Sequence, residues 1–112
     1  MEKRLELSLL LDFYGPLLTE KQRDIMDLYF NDDLSLKEIS EITNTSRQAI
    51  HDLIKRCNSL LLEYEKKLHL LEKSLEIQNF KQRIIKKISN LNIEDHEKSE
   101  VINDIIKNII EI

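Results

Sequence analysis

After a Gly-Pro pair at positions 15 and 16, the chain contains no further glycine or proline. These two residues are the strongest punctuators of turns and strand ends, so a chain this poor in them has few ways to build hairpins and sheets. Helices joined by short polar turns remain, and 34% charged residues agree with solvated helical faces. The expected fold class is therefore all-α. At 112 residues the chain is one domain, or one domain plus a helical extension, able to bury a modest core.

Apolar spacing and capping signals place the helices. A first helix over about Glu2 to Tyr14, with Leu5, Leu9, Leu10 and Phe13 as its stripe, ends at Gly15-Pro16. Thr19 with Gln22 forms a capping box, in which hydroxyl and amide each satisfy a free backbone N–H, ahead of an amphipathic run through Ile25, Met26, Leu28 and Phe30. Ser35 with Glu38 repeats the device before Leu36, Ile39 and Ile42. At Asn44 the chain must turn with a residue that tolerates a left-handed backbone. Ser46 then caps a helix whose Ala49, Ile50, Leu53, Ile54 and Cys57 can face a core. Ser35 to Cys57 thus reads as two short helices joined by a three-residue turn, the shape that enters a DNA major groove.

Six residues at the start of that second helix carry the chemistry. Recognition helices read base edges with their first turns. Arg47 can donate two hydrogen bonds to guanine O6 and N7, and Gln48 can bond adenine N6 and N7. Ser46 and the free N–H groups of the helix start suit a phosphate oxygen. His51 can contact a base or a phosphate, and Lys55 and Arg56 lie farther along, where backbone phosphates pass. The alternative is a helical hairpin whose outer face is polar only because it is solvated.

Charge bears on this choice. The chain holds 17 Lys and Arg against 21 Asp and Glu, a net of −4, where a dedicated DNA binder usually carries a basic field. Residues 1–34 hold four bases and eight acids, whereas residues 35–57 hold four bases and three acids. The reading element is only marginally basic, with Asp52 on its outer face, so useful affinity calls for two copies.

An apolar series at Ile50, Ile54, Cys57, Leu61, Tyr64, Leu68, Leu71 and Leu75, spaced alternately by four and three, offers a route to two copies as a heptad seam continuing out of the recognition helix. A homodimer is the expectation from that seam, with intramolecular burial by the C-terminal helices as the alternative. Residues 1–57 are read as the helix-turn-helix domain and 58–112 as a helical extension for packing or dimerisation. Phe80, Ile84, Ile88 and Leu91 share one face, Asn90 to Asn92 reads as a break, and Asn92 is placed to cap a last helix bearing Val101, Ile102, Ile105, Ile106, Ile109 and Ile110. Lys81, Arg83, Lys86 and Lys87 form a basic run free of acids between Ile77 and Ile93, read as a solvated face or a contact for RNA or phosphate.

The order of these segments resembles a known pattern. Leu-Thr-x-x-Gln-Arg at Leu18 to Arg23, an apolar helix, the acidic loop Asn31 to Asp33 and Ser-Leu-x-Glu-Ile at Ser35 to Ile39 resemble the fourth region of bacterial sigma factors. Closer still is the YlxM family of small bacterial helix-turn-helix proteins, to which Ser-Arg-Gln-Ala-Ile at Ser46 to Ile50 and Tyr-Glu-x-Lys-Leu at Tyr64 to Leu68 are similar. The resemblance runs from about Leu7 to Phe80. It implies an all-helical, sigma region-4-like fold and a cytoplasmic DNA-binding or regulatory protein. Ser46, Arg47, Gln48 and His51 would be the recognition positions. Members are encoded beside genes for the signal recognition particle and its receptor, which implies a role in that targeting pathway. Where many helix-turn-helix sequences carry Ala and Gly, this chain has Ser40 and Asn44.

Other classes find little support. His51, His69 and His96 lie on separate segments without metal-ligand spacing, and there is no CxxC, HExxH or glycine-rich phosphate loop. No enzyme activity, metal or cofactor is expected. No apolar run approaches the roughly 18 residues that span a membrane, and no signal peptide opens the chain. The single Cys57 forms no internal disulfide and reads as a small core hydrophobe in a reducing cytoplasm. Three partners stay open: duplex DNA, the GTPase or RNA of the signal recognition particle, and RNA polymerase approached by a sigma-like fragment too short to open a promoter alone.

Overall fold

The computed structural model describes residues 1–112 as six α-helices and no strand, in two compact units, Met1–Leu71 and Glu72–Ile112. The first unit holds α1 (Lys3–Tyr14), a single 3-10 turn (Gly15–Leu17), α2 (Glu20–Phe30), α3 (Leu36–Thr43), α4 (Arg47–Leu68) and the start of α5 (Leu70–Ser89). The rest of α5 and α6 (His96–Glu111) make up the second. Where the sequence reading divided the chain after Cys57, the backbone is midway along α4.

Local signals explain most helix starts. Thr19 accepts from Gln22 N–H while the Gln22 side chain accepts from Thr19 N–H at 2.9 Å, and Ser35 and Glu38 do the same. The Ser35 backbone and hydroxyl donors hold the Glu38 carboxyl below its ordinary range. Gly15 keeps a right-handed backbone (φ −49°), so the 3-10 turn does not depend on its special freedom. The left-handed positions are instead Asp33, Asn44, His69 and Asn92.

In the first unit, α4 is the central element, packed against α1, α2 and α3. Its inner row, Ile50, Ile54, Cys57 and Leu61, meets Leu7, Leu10, Leu11 and Tyr14 of α1, Ile25 and Met26 of α2 and Ile39 of α3 in one core. Burying each large aliphatic side chain stabilises by about 1.5–3 kcal/mol. Two expected stripes are corrected. On α1 the buried row is Leu7, Leu10, Leu11 and Tyr14, while Leu5 and Phe13 stand exposed. Seven of the twelve residues of that helix are apolar, more than one stripe holds, and spacing alone did not select the row that meets α4. On α3, Ile42 is 63% exposed because the two-turn helix turns Leu36, Ile39, Ser40 and Thr43 inward.

The heptad seam is also corrected. Its first four residues are buried by α1 to α3 of the same chain, so no second copy can use them. The seam is interrupted as well, because α4 stops at Leu68 with His69 left-handed (φ 56°), and Leu68 stands exposed.

A polar clasp fastens this break. The Tyr14 hydroxyl donates to Glu65 Oε1 at 2.6 Å and accepts from Leu70 N–H at 3.1 Å, and the same carboxylate oxygen accepts from Leu71 N–H at 3.0 Å. Two free N–H groups at the start of α5 are thereby satisfied by side chains of α1 and α4. Burial, reinforced by the Glu65 carboxylate, pushes the Tyr14 phenol up.

In the second unit α5 and α6 lie antiparallel. Ile88 shares a cavity of about 280 Å³ with Ile102 and Ile106, and the Lys81 amine reaches the Ile112 carbonyl. Asp95 caps α6, accepting from Glu97 N–H at 2.9 Å and Lys98 N–H at 3.2 Å, in place of the expected Asn92, which makes the left-handed turn instead. No residue of α6 is fully buried.

Candidate nucleic-acid interface

The turn between α3 and α4 is held by α3 itself. Asn44 takes the left-handed conformation (φ 54°, ψ 40°), and both its N–H and that of Thr45 return to the Ser40 carbonyl. The Ser40 hydroxyl donates to the Thr45 carbonyl, so the residue standing where Ala is usual locks the turn. Ser46 then accepts from Ala49 N–H at 3.1 Å and starts α4.

All six sequence-selected residues, Ser46, Arg47, Gln48, His51, Lys55 and Arg56, are exposed. Helical spacing sets Gln48, His51, Asp52 and Lys55 in one outer row opposite Ile50, Ile54 and Cys57, with Arg47 on one flank and Arg56 on the other. Arg47, Lys55 and Arg56 make no ion pair, which leaves their cationic groups available to an anion. Gln48 is different, because its side-chain N–H₂ donates to Asp52 Oδ1 at 3.0 Å. His51 Nδ1 lies 3.6 Å from the same carboxylate oxygen. Asp52 therefore occupies the middle of the outer row and engages two of its neighbours. The i, i+4 spacing of Gln48 and Asp52 was the available signal for that bond. Lys37, exposed at the start of α3, is a further cation on the motif that sequence reasoning passed over.

The remaining chemistry is sparse. No group of three or more His, Cys, Asp or Glu side chains comes together to hold a metal ion. Cys57 is fully buried and its thiol is pushed up by that burial, with Arg56 acting weakly in the other direction. No helix is long and apolar enough to cross a membrane.

Two helices joined by a tight left-handed turn, the second packed on the first and exposing its outer row, define a helix-turn-helix protein. Residues 1–105 match the UPF0122 family, described as "Putative helix-turn-helix protein, YlxM / p13 like", and the chain belongs to that family. It is 56% identical over 112 residues to a UPF0122 protein of Clostridium novyi, covering 98% of this chain and 96% of that one. A UPF0122 protein of Clostridium kluyveri is 54% identical over 110 residues (98% and 96%), and one of Clostridium acetobutylicum 51% over 111 residues (97% and 96%). The family expectation drawn from Ser46 to Ile50 and Tyr64 to Leu68 agrees with this match.

Proposed function

We propose that the protein binds duplex DNA as a regulatory factor, laying the first turns of α4 in the major groove. The observation that carries this reading is the exposed outer row at the start of α4, with Arg47, Lys55 and Arg56 unpaired around Gln48 and His51. In this reading Arg47 and Gln48 meet base edges, Ser46 and the first N–H groups of α4 hold a phosphate, and Lys55 and Arg56 follow the backbone. Gln48 exchanges its bond to Asp52 for a base. With three or four phosphates neutralised per copy, log K falls with log[salt] at a slope of about −3.

Selection from random-sequence duplex DNA at low salt tests this, with Arg47→Ala/Gln48→Ala as control. A motif enriched by the wild type and lost in the variant, at unchanged helicity, is the expected result. Equal enrichment by both proteins would refute it.

The pairing of Asp52 with Gln48 and His51 favours a second reading, in which the motif serves as scaffold and the activity is docking to a component of the signal recognition particle. Failure of the purified particle's GTPase and of its RNA to bind the full chain would remove that alternative.

A further inference from the structure

The second unit buries little of its apolar surface. Its helices bring no apolar side chain to full burial, and units this small are usually completed by a staple or a partner. On one half of the apolar arc of α6, Ile102, Ile106 and Ile109 are half-buried, Ile102 and Ile106 sharing a cavity with Ile88 of α5, and the other half is exposed. Val101, Ile105 and Ile112 are 60%, 44% and 84% exposed. Phe80, on α5, is 58% exposed and one turn from the half-buried Ile84. Because the helices run antiparallel, the helical phase puts Phe80 and Ile84 on the same side of the hairpin as Val101, Ile105 and Ile112. These five offer several hundred square ångströms of apolar surface, where a stable interface takes about 800 Å² from each partner including its polar rim.

The rims identify the occupant. α5 carries five bases and two acids and α6 two bases and four acids, so α5 is net +3 and α6 net −2. Arg83 and Lys87 edge the apolar face along α5, and Glu97 and Asp104 edge it along α6. One edge is thus the electrostatic complement of the other. A two-fold axis parallel to the helices sets α5 of one copy on α6 of the next, antiparallel, so that a net basic helix faces a net acidic one and Lys87 comes level with Asp104. An axis across the helices would stack α5 on α5 and oppose like charges.

We propose that the occupant is a second copy of this chain, and that two α5–α6 hairpins close face to face into a four-helix bundle in which α5 of each protomer lies on α6 of its partner. Apolar side chains become its core, and the charged edges select this pairing over the crossed one. The inference is independent of what α4 contacts.

Sedimentation velocity on the full chain, without nucleic acid, tests it. The wild type should sediment as a dimer at tens of micromolar. Phe80→Glu/Ile105→Glu should weaken association at least about tenfold while leaving the first unit's melting unchanged. Two charge variants guard against simple misfolding. Arg83→Glu/Lys87→Glu and Glu97→Lys/Asp104→Lys should each be monomeric alone and form heterodimers when mixed, because acid then meets base along both edges. A wild type monomeric at about 200 µM overturns the proposal. So does a dimer indifferent to the Phe80/Ile105 change, or charge variants that do not recover on mixing.

Discussion

Replacing Tyr14 with Phe isolates the polar clasp between α1, α4 and α5. The ring keeps its packing, including the tilted contact with Tyr64 at 5.9 Å between centroids, and only the hydroxyl is lost. Two hydrogen bonds go with it, one donated to the Glu65 carboxylate at 2.6 Å and one accepted from Leu70 N–H at 3.1 Å. A hydrogen bond to a charged group contributes about 1.5–3 kcal/mol, and an amide left without its acceptor adds to the loss, so the expected destabilisation is about 2 kcal/mol. For a unit of this size that lowers Tm by on the order of 10 °C. Urea unfolding followed by circular dichroism at 222 nm should show the midpoint falling with little change in slope. There is also a pH signature. The Tyr14 phenol is raised in the folded state by burial and by Glu65, so its contribution is complete below the ordinary phenol range near 10 and is lost as pH climbs through the folded value. The Phe variant should have a flatter alkaline limb. A loss below about 0.5 kcal/mol, or an unaltered alkaline limb, would show that water replaces the hydroxyl at no cost and that the clasp does not hold the break.

Other consequences can be measured separately. Asp52→Asn removes the carboxylate from the outer row of α4 and should raise affinity for duplex DNA several-fold at low salt; weaker binding in a fluorescence-anisotropy titration would count against the major-groove reading. Glu38→Gln keeps a side-chain acceptor for Ser35 N–H and deletes the titration. Because the Glu38 carboxyl is depressed in the fold, its contribution is present above about pH 4.5 and lost as the pH falls through the folded value, so the variant should have the flatter acid limb in melts run between pH 3 and 6. Cys57 should react with a thiol reagent on the order of a thousandfold more slowly in the native protein than in denaturant, since reaction must wait for opening of the core. Equal rates would mean that the α4 core opens far more readily than its burial suggests.

Where the sequence was legible, it was so through local chemistry. Both capping boxes and the Asn44 turn are short-range devices whose partners lie within five residues, and they appear in the structure at the expected positions. The outer position of Arg47, Gln48, His51 and Lys55 followed from period and cap alone. What spacing did not settle was which apolar row meets which neighbour. Leu5 and Phe13 are as apolar as Leu7 and Leu11, and only the direction from which α4 approaches separates them. The heptad series from Ile50 failed for a related reason: a stripe four and three apart is what a helix needs against a second copy or against α1 to α3, and sequence does not name the occupant. His69 gave no warning, since a left-handed histidine is neither Gly nor Asn, and the Tyr14–Glu65 pair that supports it lies 51 residues apart.

The double duty of α4 has a consequence for descent within the family. Its inner row closes the core and its outer row meets the surroundings, from the same few turns of backbone. A substitution at Ile50, Ile54 or Cys57 changes the pitch at which the outer row is presented, whereas one at Gln48, His51 or Asp52 leaves the core untouched. Lineages are therefore free to redirect what the outer row contacts by small steps, coupled only through Asp52, while changes beneath it alter contact and stability together. Variation along this helix should accumulate with a period of 3.6 residues.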